Sequence, residues 1–235
     1  DTDLERSKKE YENKIKENLS WLGLSWSKTF NQSQRKNIYD KKILLLKELK
    51  KIYPCFESAE ELSLKRKTQL LSGKPPIYDR SALKLTSNQI EDFIKEGKTP
   101  HWRFKLEDEI IEWQDLIKGK VSFDSKNLSD PVLIREDGSL LYHLPSVVDD
   151  VEENITDIIR GEDHITNTAF HIQLFKSLNA KVPHFGHHPF LTDEKGNSFG
   201  KRLGSLSIQK MFEDGFENLT LLNYLLSIGT SKNLS

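Results

Sequence analysis

Two glycines and a Lys-Arg pair lie close together in the run NSFGKRLGS (197–205). Such a run is typical of phosphate-binding loops: in a Walker A motif, backbone N–H groups surround the phosphates and a lysine reaches the terminal ones. Gly200 and Lys201 match the end of that pattern, but Arg202 stands where a Ser or Thr would bind magnesium. The run therefore predicts either a phosphate-binding loop of another type or a basic surface loop.

A second polar run, RGEDH (160–164), follows an apolar segment that predicts a buried strand and precedes a predicted helix. Ligands of open α/β sheets bind beyond the carboxyl ends of the strands, so a site is expected here. Arg160 could grip a carboxylate through its guanidinium fork, and His164 would lie at a helix start, where N–H groups favour anions. The structural alternative is an internal ion pair of Arg160 with Glu162 or Asp163.

Polar side chains also follow one another in LYHLPSVVDD (141–150), which contains Tyr142, Ser146 and the adjacent pair Asp149-Asp150. Two neighbouring carboxylates raise the question of a metal site. Adjacent residues of one helix or strand point in different directions, so capping or solvation is the plainer interpretation of the pair.

Three histidines, His184, His187 and His188, lie in the predicted strand HFGHHPFL (184–191). Alternation along a strand sends His187 and His188 to opposite faces. Cys55 is the single cysteine, so the sequence offers neither a cysteine-rich zinc site nor an internal disulfide.

The composition bounds the class of protein. The chain has 235 residues, 36% hydrophobic and 30% charged, as expected of a soluble globular protein with a sizeable core. It has no run of about 18 apolar residues, so no membrane span is expected. With one cysteine and no signal peptide, the cytoplasm is the expected location. The only methionine is Met211, so we expect the true N-terminus to precede Asp1.

The charge of the chain is unevenly distributed. Its formal net charge is -1, but residues 1–120 contain 25 basic and 20 acidic side chains, whereas residues 121–235 contain 10 and 16. The near-neutral total argues against a general nucleic-acid binder, while the basic half permits contact with a polyanion along one side. An evenly solvated surface is the alternative.

Apolar periodicity and helix-capping patterns place these motifs on a framework. Predicted helices cover about 7–21, 35–51, 58–71, a short segment from 86, 165–179, 207–213 and 217–228; predicted strands are WRFKL, IIEWQDLI, KVSFD and PVLI between 101 and 134, ITDIIR (155–160) and HFGHHPFL (184–191). This order indicates an α/β domain interrupted by a mainly antiparallel inserted module at roughly 54–140.

Six segments, in order along nearly the whole chain, resemble glutamyl-tRNA synthetases, which are class I aminoacyl-tRNA synthetases. They are DTDLERS (1–7), WLGLSW (21–26), QSQR (32–35) with YPCF (53–56), LYHLPSVVDD (141–150), IIRGEDHITNT (158–168) and GKRLGSLSI (200–208). RGEDHITNT is specific to the family, and SDPVLIREDGS and SFGKRLGSLSI are most similar to its alphaproteobacterial branch. The resemblance implies a Rossmann-like α/β catalytic domain whose first strand and HIGH motif would precede Asp1.

The resemblance also implies a division of the chain. Residues 1–53 and 141–193 would be the two parts of the catalytic domain, 54–140 an inserted α+β module that binds the tRNA acceptor stem, and 194–235 the signature lysine loop with the start of a helical stem-contact region. The run HFGH (184–187) is similar to HIGH in its letters alone, because HIGH belongs at the start of a helix near the N-terminus.

For the run NSFGKRLGS (197–205), the resemblance implies a role in ATP binding. Members of the family carry there a loop usually written KMSKS, whose second lysine stabilises the ATP phosphates while the amino-acid carboxylate attacks the α-phosphate. Lys201 occupies the position of the second lysine of KMSKS. Ser198 occupies the position of the first lysine, and Gly200 occupies the position of the first serine. Lys201 is therefore the expected catalytic residue, in a loop where Ser198 replaces the first lysine of the family pattern and Gly200 replaces its first serine.

The resemblance implies roles for the other motif residues as well. Arg160 would bind the side-chain carboxylate of glutamate, Tyr142 would line the amino-acid pocket, and Ser146 stands where many relatives have Asn. His164 and Asp163 would lie on the ATP side. A guanidinium fork pairs with both oxygens of a carboxylate but meets an amide poorly, which suits discrimination of glutamate from glutamine.

The implied activity is ATP-dependent ligation of L-glutamate to the 3′ end of tRNA(Glu) through a glutamyl-adenylate, with Mg²⁺ accompanying ATP. The implied enzyme is a cytoplasmic monomer, and tRNA(Gln) is a second candidate substrate. Some relatives hold zinc in the insertion through a CxC pair, but Glu57 replaces the second cysteine here, so neither structural zinc nor another metal site is expected. Two alternatives stay open: the short paralogue that glutamylates a queuosine base of tRNA, and a non-catalytic tRNA-binding fragment.

Overall fold

The computed structural model describes residues 7–192 and 207–229. Its helices are α1 (Lys9–Trp21), α2 (Lys36–Glu48), α3 (Ala59–Leu71), α4 (Ser87–Lys95), α5 (His143–Glu152), α6 (Ile165–Ser177), α7 (Ile208–Glu213) and α8 (Asn218–Gly229). Its strands are β1 (Ile52–Cys55), β2 (His101–Phe104), β3 (Ile110–Asp115), β4 (Gly119–Asp124), β5 (Val132–Ile134), β6 (Asp157–Gly161) and β7 (His184–His188). The mixed α/β class predicted from the sequence is confirmed.

The chain divides into two compact units. The core unit comprises residues 35–189, and the terminal unit comprises, among the described residues, 7–34, 190–192 and 207–229. Within the terminal unit, the ring of Trp21 on α1 meets the ring of Phe212 on α7 edge to face, with centroids 5.6 Å apart. The side chain of Asn218 donates a hydrogen bond to the carbonyl of Trp21 across 2.8 Å.

Helices α3 and α4 of the core unit begin where the sequence predicts them. Ser58 and Glu61 form a reciprocal capping box at α3, and Thr86 and Gln89 form another at α4. Each box satisfies two N–H groups that a helix start would otherwise leave unpaired. Ser7 and Glu10 have the same spacing but do not cap α1, because its N-cap residue is Lys8, whose side chain makes no cap hydrogen bond.

Two sheets share the core unit. One is antiparallel with the order β1-β2-β5, and the other is mixed with the order β4-β3-β7-β6. The β3–β4 hairpin turns at Gly119, whose φ of +76° favours glycine. Since β3 also pairs with β7, the strands between residues 54 and 140 are divided between the two sheets. The division of the chain into a catalytic domain and an inserted module stays a prediction.

Strands β6 and β7 run parallel and position the candidate site. Their register places Arg160 opposite His187 and Gly161 opposite His188. The expectation that β6 would be buried is wrong: Ile159 is 55% exposed, because β6 lies at the edge of the described sheet. His187 is buried and His188 is exposed, which confirms the predicted alternation.

Helix α5 is an element that the sequence did not reveal. Pro145 lies in its first turn, where a missing N–H costs nothing. Asp149 fixes α5 to α2 by accepting hydrogen bonds from Arg35 at 2.7 Å and from the buried Tyr39 hydroxyl at 2.9 Å. The apolar core of the unit packs between α2, α5, α6 and the two sheets; its largest fully buried members include Tyr39, Phe104, Phe175 and Phe185.

Candidate active site

Arg160, near the end of β6, is the centre of a polar cluster in the core unit. Its guanidinium lies within hydrogen-bond distance of five groups: the Tyr142 hydroxyl (2.9 Å), the Thr168 hydroxyl (2.6 Å), His171 Nδ1 (3.4 Å), His187 Nε2 (3.4 Å) and the carbonyl of His164 (3.4 Å). Helix α5, helix α6, strand β7 and the turn after β6 each contribute to this set. All five groups are neutral acceptors when the two histidines are neutral.

Arg160 forms no ion pair with any carboxylate in the part of the chain that the structure describes. Glu162 pairs with Lys118 on the β3–β4 turn, and Asp163 lies 3.7 Å from His164. The structural alternative for Arg160, an internal pair with either neighbour, is therefore not formed. A half-buried guanidinium surrounded by neutral acceptors retains its full positive charge for an anionic ligand.

Two histidines beside Arg160, His143 and His171, are uncharged at neutral pH. Burial, together with the nearby charge of Arg160, lowers the pKa of His171 well below its ordinary value. The same two causes lower the pKa of His143 to about 4. His143 Nδ1 lies 3.1 Å from His171 Nε2, so one ring donates to the other. His143 and His171 therefore add no positive charge beside Arg160.

The structure brings together some of the predicted site residues and separates others. The ring of Tyr142 is 42% exposed and lies 5.2 Å from the ring of His164. Ser146 lies one helical turn further along α5 and makes no hydrogen bond to Arg160. Asp163 contacts His164 and is otherwise exposed. Tyr142, Arg160 and His164 therefore form the site as described, with Ser146 and Asp163 at its margin.

A carboxylate that the sequence did not single out for this site is Asp150 on α5. Burial raises the pKa of Asp150 to about 6, although the charge of Arg160 acts in the opposite direction. Its neighbour Asp149 raises the pKa further. A carboxyl group that is half-neutral near pH 6 thus lies in the field of Arg160.

The predicted lysine loop lies outside the described residues: Lys201, Ser198 and Gly200 belong to the segment 193–206. Among the described residues, no group of three or more His, Cys, Asp or Glu side chains is arranged to hold a metal ion. No helix in that part of the chain is long and apolar enough to cross a membrane.

The chain matches a known family along almost its whole length. Residues 1–234 match the family described as tRNA synthetases class I (E and Q), catalytic domain. The chain belongs to this family. The resemblance drawn from its motifs is thereby confirmed.

Relatives of this synthetase domain carry consistent names. It is 48% identical to "Glutamate--tRNA ligase 2" of Hyphomonas neptunium, over 100% of the chain and 53% of that protein. It is 51% identical to "Glutamate--tRNA ligase 2" of Beijerinckia indica, over 98% of the chain and 52% of that protein. A crystal structure of a glutamate tRNA ligase from Elizabethkingia meningosepticum in complex with its amino acid superposes with a TM-score of 0.76 at 28% identity, covering 92% of the chain and 45% of the other.

The synthetase domain spans about half the length of the curated relatives that it matches. Both relatives are named as glutamate–tRNA ligases.

Four buried side chains of the site are not predicted as site residues from the sequence: Asp115, Thr168, His171 and His187. Thr168 and His171 stand three residues apart on α6, and this spacing of polar residues in an apolar helix was an available signal. The pattern around His187 in the sequence suggests only a zinc ligand or a likeness to HIGH. Its partner Asp115 is 72 residues away in the sequence, so no local pattern reveals the pair.

Proposed function

We propose that this chain is the catalytic region of a glutamate–tRNA ligase that joins L-glutamate to the 3′ end of tRNA(Glu) through a glutamyl-adenylate made from ATP. One observation carries the proposal: the guanidinium of Arg160, in a synthetase domain of the E and Q family, contacts two hydroxyls, a backbone carbonyl and two imidazole rings but no carboxylate among the described residues. An unpaired guanidinium of this kind is suited to the side-chain carboxylate of glutamate.

The same cluster supports selection of glutamate over glutamine. The guanidinium fork can donate to both oxygens of a carboxylate, whereas the NH₂ group of an amide would face donors. Neutral His171 accepts from Arg160 and adds no second cation, so the preference for an anion rests on one residue. A site that leaves buried polar groups unpaired with the wrong substrate discriminates strongly against it.

The remaining residues have proposed roles around this contact. Tyr142 lines the amino-acid pocket through its hydroxyl, with Ser146 on the next turn of the same helix. His164 and Asp163 face ATP, and Lys201 stabilises the charge that develops on its phosphates. Mg²⁺ accompanies ATP as a substrate complex. Adenylate formation and transfer require no covalent nucleophile, because positioning and charge stabilisation supply the acceleration.

The proposed partners follow from the same assignment. The module at 54–140 would hold the acceptor end of tRNA(Glu), where unpaired 3′ bases and 2′-hydroxyls are natural targets for a protein. The enzyme would act as a cytoplasmic monomer, and tRNA(Gln) is a second substrate to test. Charging assays with both purified tRNAs decide between a discriminating and a non-discriminating enzyme.

Glutamate-dependent ATP–pyrophosphate exchange by the complete gene product tests the proposed function. We expect exchange with glutamate in the presence of tRNA, and none when glutamine replaces glutamate. Transfer of radiolabelled glutamate to the 3′ end of tRNA(Glu) is the second readout. Tight tRNA binding without exchange or transfer would instead identify a binding protein, and transfer to a queuosine base would identify the modifying paralogue.

A further inference from the structure

Behind Arg160 lies a second, fully buried polar group, the carboxylate of Asp115 at the end of β3. One of its oxygens accepts the backbone N–H groups of Ile117 and Lys118 at 3.0 Å and of His187 at 3.1 Å. The other lies within hydrogen-bond distance of His187 Nδ1 and of Trp113 Nε1. Although burial opposes ionisation, these donors hold the pKa of Asp115 well below its usual range.

An ionised Asp115 determines which nitrogen of His187 carries the proton. A carboxylate only accepts, so Nδ1 of His187 must be the donor. In the neutral ring, Nε2 is then an acceptor, and it lies 2.8 Å from the hydroxyl of Thr168 and 3.4 Å from Nε of Arg160. Thr168 can therefore donate to His187 while it accepts from Arg160 across 2.6 Å.

This chain of hydrogen bonds runs in one direction from Arg160 to Asp115 and is enclosed by rigid elements. His187 stacks on Phe185 with an angle of 14° between the rings, and the guanidinium carbon of Arg160 lies 5.4 Å from the centroid of Phe185. Gly186 lies between these two residues, and an added Cβ there would lie 2.8 Å from Ile159 Cδ1, so the side chain of Ile159 would have to shift. The parallel register of β6 and β7 thus fixes the position of His187 relative to Arg160.

We propose that Asp115 and His187 are positioning residues for glutamate binding: Asp115 holds His187 in the tautomer whose Nε2 accepts, and this acceptor orients Thr168 and the guanidinium of Arg160. The inference rests on the proposed function, in which Arg160 binds the glutamate carboxylate. Neither residue touches the substrate. Their effect is to aim the guanidinium fork, which sets affinity for glutamate rather than for ATP.

Asp115→Asn tests the tautomer directly. The amide oxygen can keep the three backbone N–H donors, which places the NH₂ group against Nδ1 of His187. His187 must then carry its proton on Nε2, where it faces Thr168 and the donors of Arg160. We expect the KM for glutamate in pyrophosphate exchange to rise by about ten-fold, on the scale of one charged hydrogen bond, with the KM for ATP unchanged.

Two substitutions of His187 make the test independent of Asp115. In His187→Gln the amide oxygen can replace Nε2 as acceptor, whereas in His187→Asn the shorter amide can replace only the Nδ1 donor. We expect His187→Asn to raise the KM for glutamate by about ten-fold and His187→Gln to raise it by less than about three-fold. Should Asp115→Asn fail to fold, this ordering decides the matter.

Arg160→Ala, measured in parallel, separates the two hypotheses. If it raises the KM for glutamate while folded Asp115→Asn and both His187 variants do not, the positioning role is overturned and the proposed function stands. Similar rises in the KM for glutamate and the KM for ATP, together with a fall in kcat, would reveal general structural damage. That result would also overturn the positioning role. If Arg160→Ala itself leaves the KM for glutamate unchanged, the proposed function fails.

Discussion

Arg160 on β6 donates a hydrogen bond to the hydroxyl of Tyr142 across 2.9 Å and thereby joins the end of a strand to the N-cap residue of α5. The two residues belong to different sequence motifs, LYHLPSVVDD and IIRGEDHITNT. Their contact converts two separate motifs into one pocket wall with a fixed cation and a partly exposed aromatic ring. The specificity that we propose depends on this wall.

Removal of the Tyr142 hydroxyl tests whether its hydrogen bond with Arg160 supports glutamate binding. Tyr142→Phe keeps the ring but deletes an acceptor of Arg160, so the guanidinium loses one of its restraints. We expect the KM for glutamate to rise by about three- to ten-fold with little change in the KM for ATP. Tyr224→Phe on the exposed face of α8 is the matched control and should leave both constants unchanged. Equal constants for Tyr142→Phe and wild type would refute the role of the hydroxyl.

Asp150 should make the stability of the protein depend on pH. Its folded-state pKa, about 6, lies above the ordinary value of 3.8, so the folded state binds the proton more tightly. The stability that this provides is complete below about pH 4 and is lost as the pH rises through 6. Asp150→Asn removes the cost of the buried charge and should raise the melting temperature at pH 7 but not at pH 4.

The neighbouring carboxylate supplies the matched control. Asp149 accepts hydrogen bonds from Arg35 and Tyr39, so Asp149→Asn should lower the free energy of unfolding at pH 7 by about 1–3 kcal/mol. Thermal and denaturant unfolding at both pH values measure the two effects. If the stability of Asp149→Asn and that of Asp150→Asn depended on pH in the same way, the different roles of the two carboxylates would be contradicted.

Most of the helices and strands could be predicted from the sequence, but fewer of the contacts in the candidate site could. Capping boxes at Ser58 and Thr86 are local signals, and both helices form where they indicate. Asp115 and His187 meet through the pairing of β3 with β7, a tertiary contact that no short pattern encodes. Ser7 fails as a cap because α1 begins later, at Lys9, and frayed helix ends are the least predictable part of a helix.

The lysine loop is expected to act in the chemical step. Lys201→Ala should slow adenylate formation in a single turnover much more than it raises the KM for glutamate, because the lysine stabilises charge that develops in the transition state. Lys210→Ala on α7 is the control, since that side chain pairs with Asp214 at 2.6 Å. Rapid-quench measurement of adenylate gives the rate. An unaltered single-turnover rate for Lys201→Ala would refute this role.

The central claim is that Arg160 binds the carboxylate of glutamate, and the most direct test is the KM for glutamate of Arg160→Ala in tRNA-dependent pyrophosphate exchange. Lys181→Ala, at an exposed lysine between α6 and β7, serves as the control. We predict a rise of about ten-fold or more for Arg160→Ala, corresponding to the 1.5–3 kcal/mol of a charged hydrogen bond, and no change for the control. A KM for glutamate equal to that of the wild type would contradict the account.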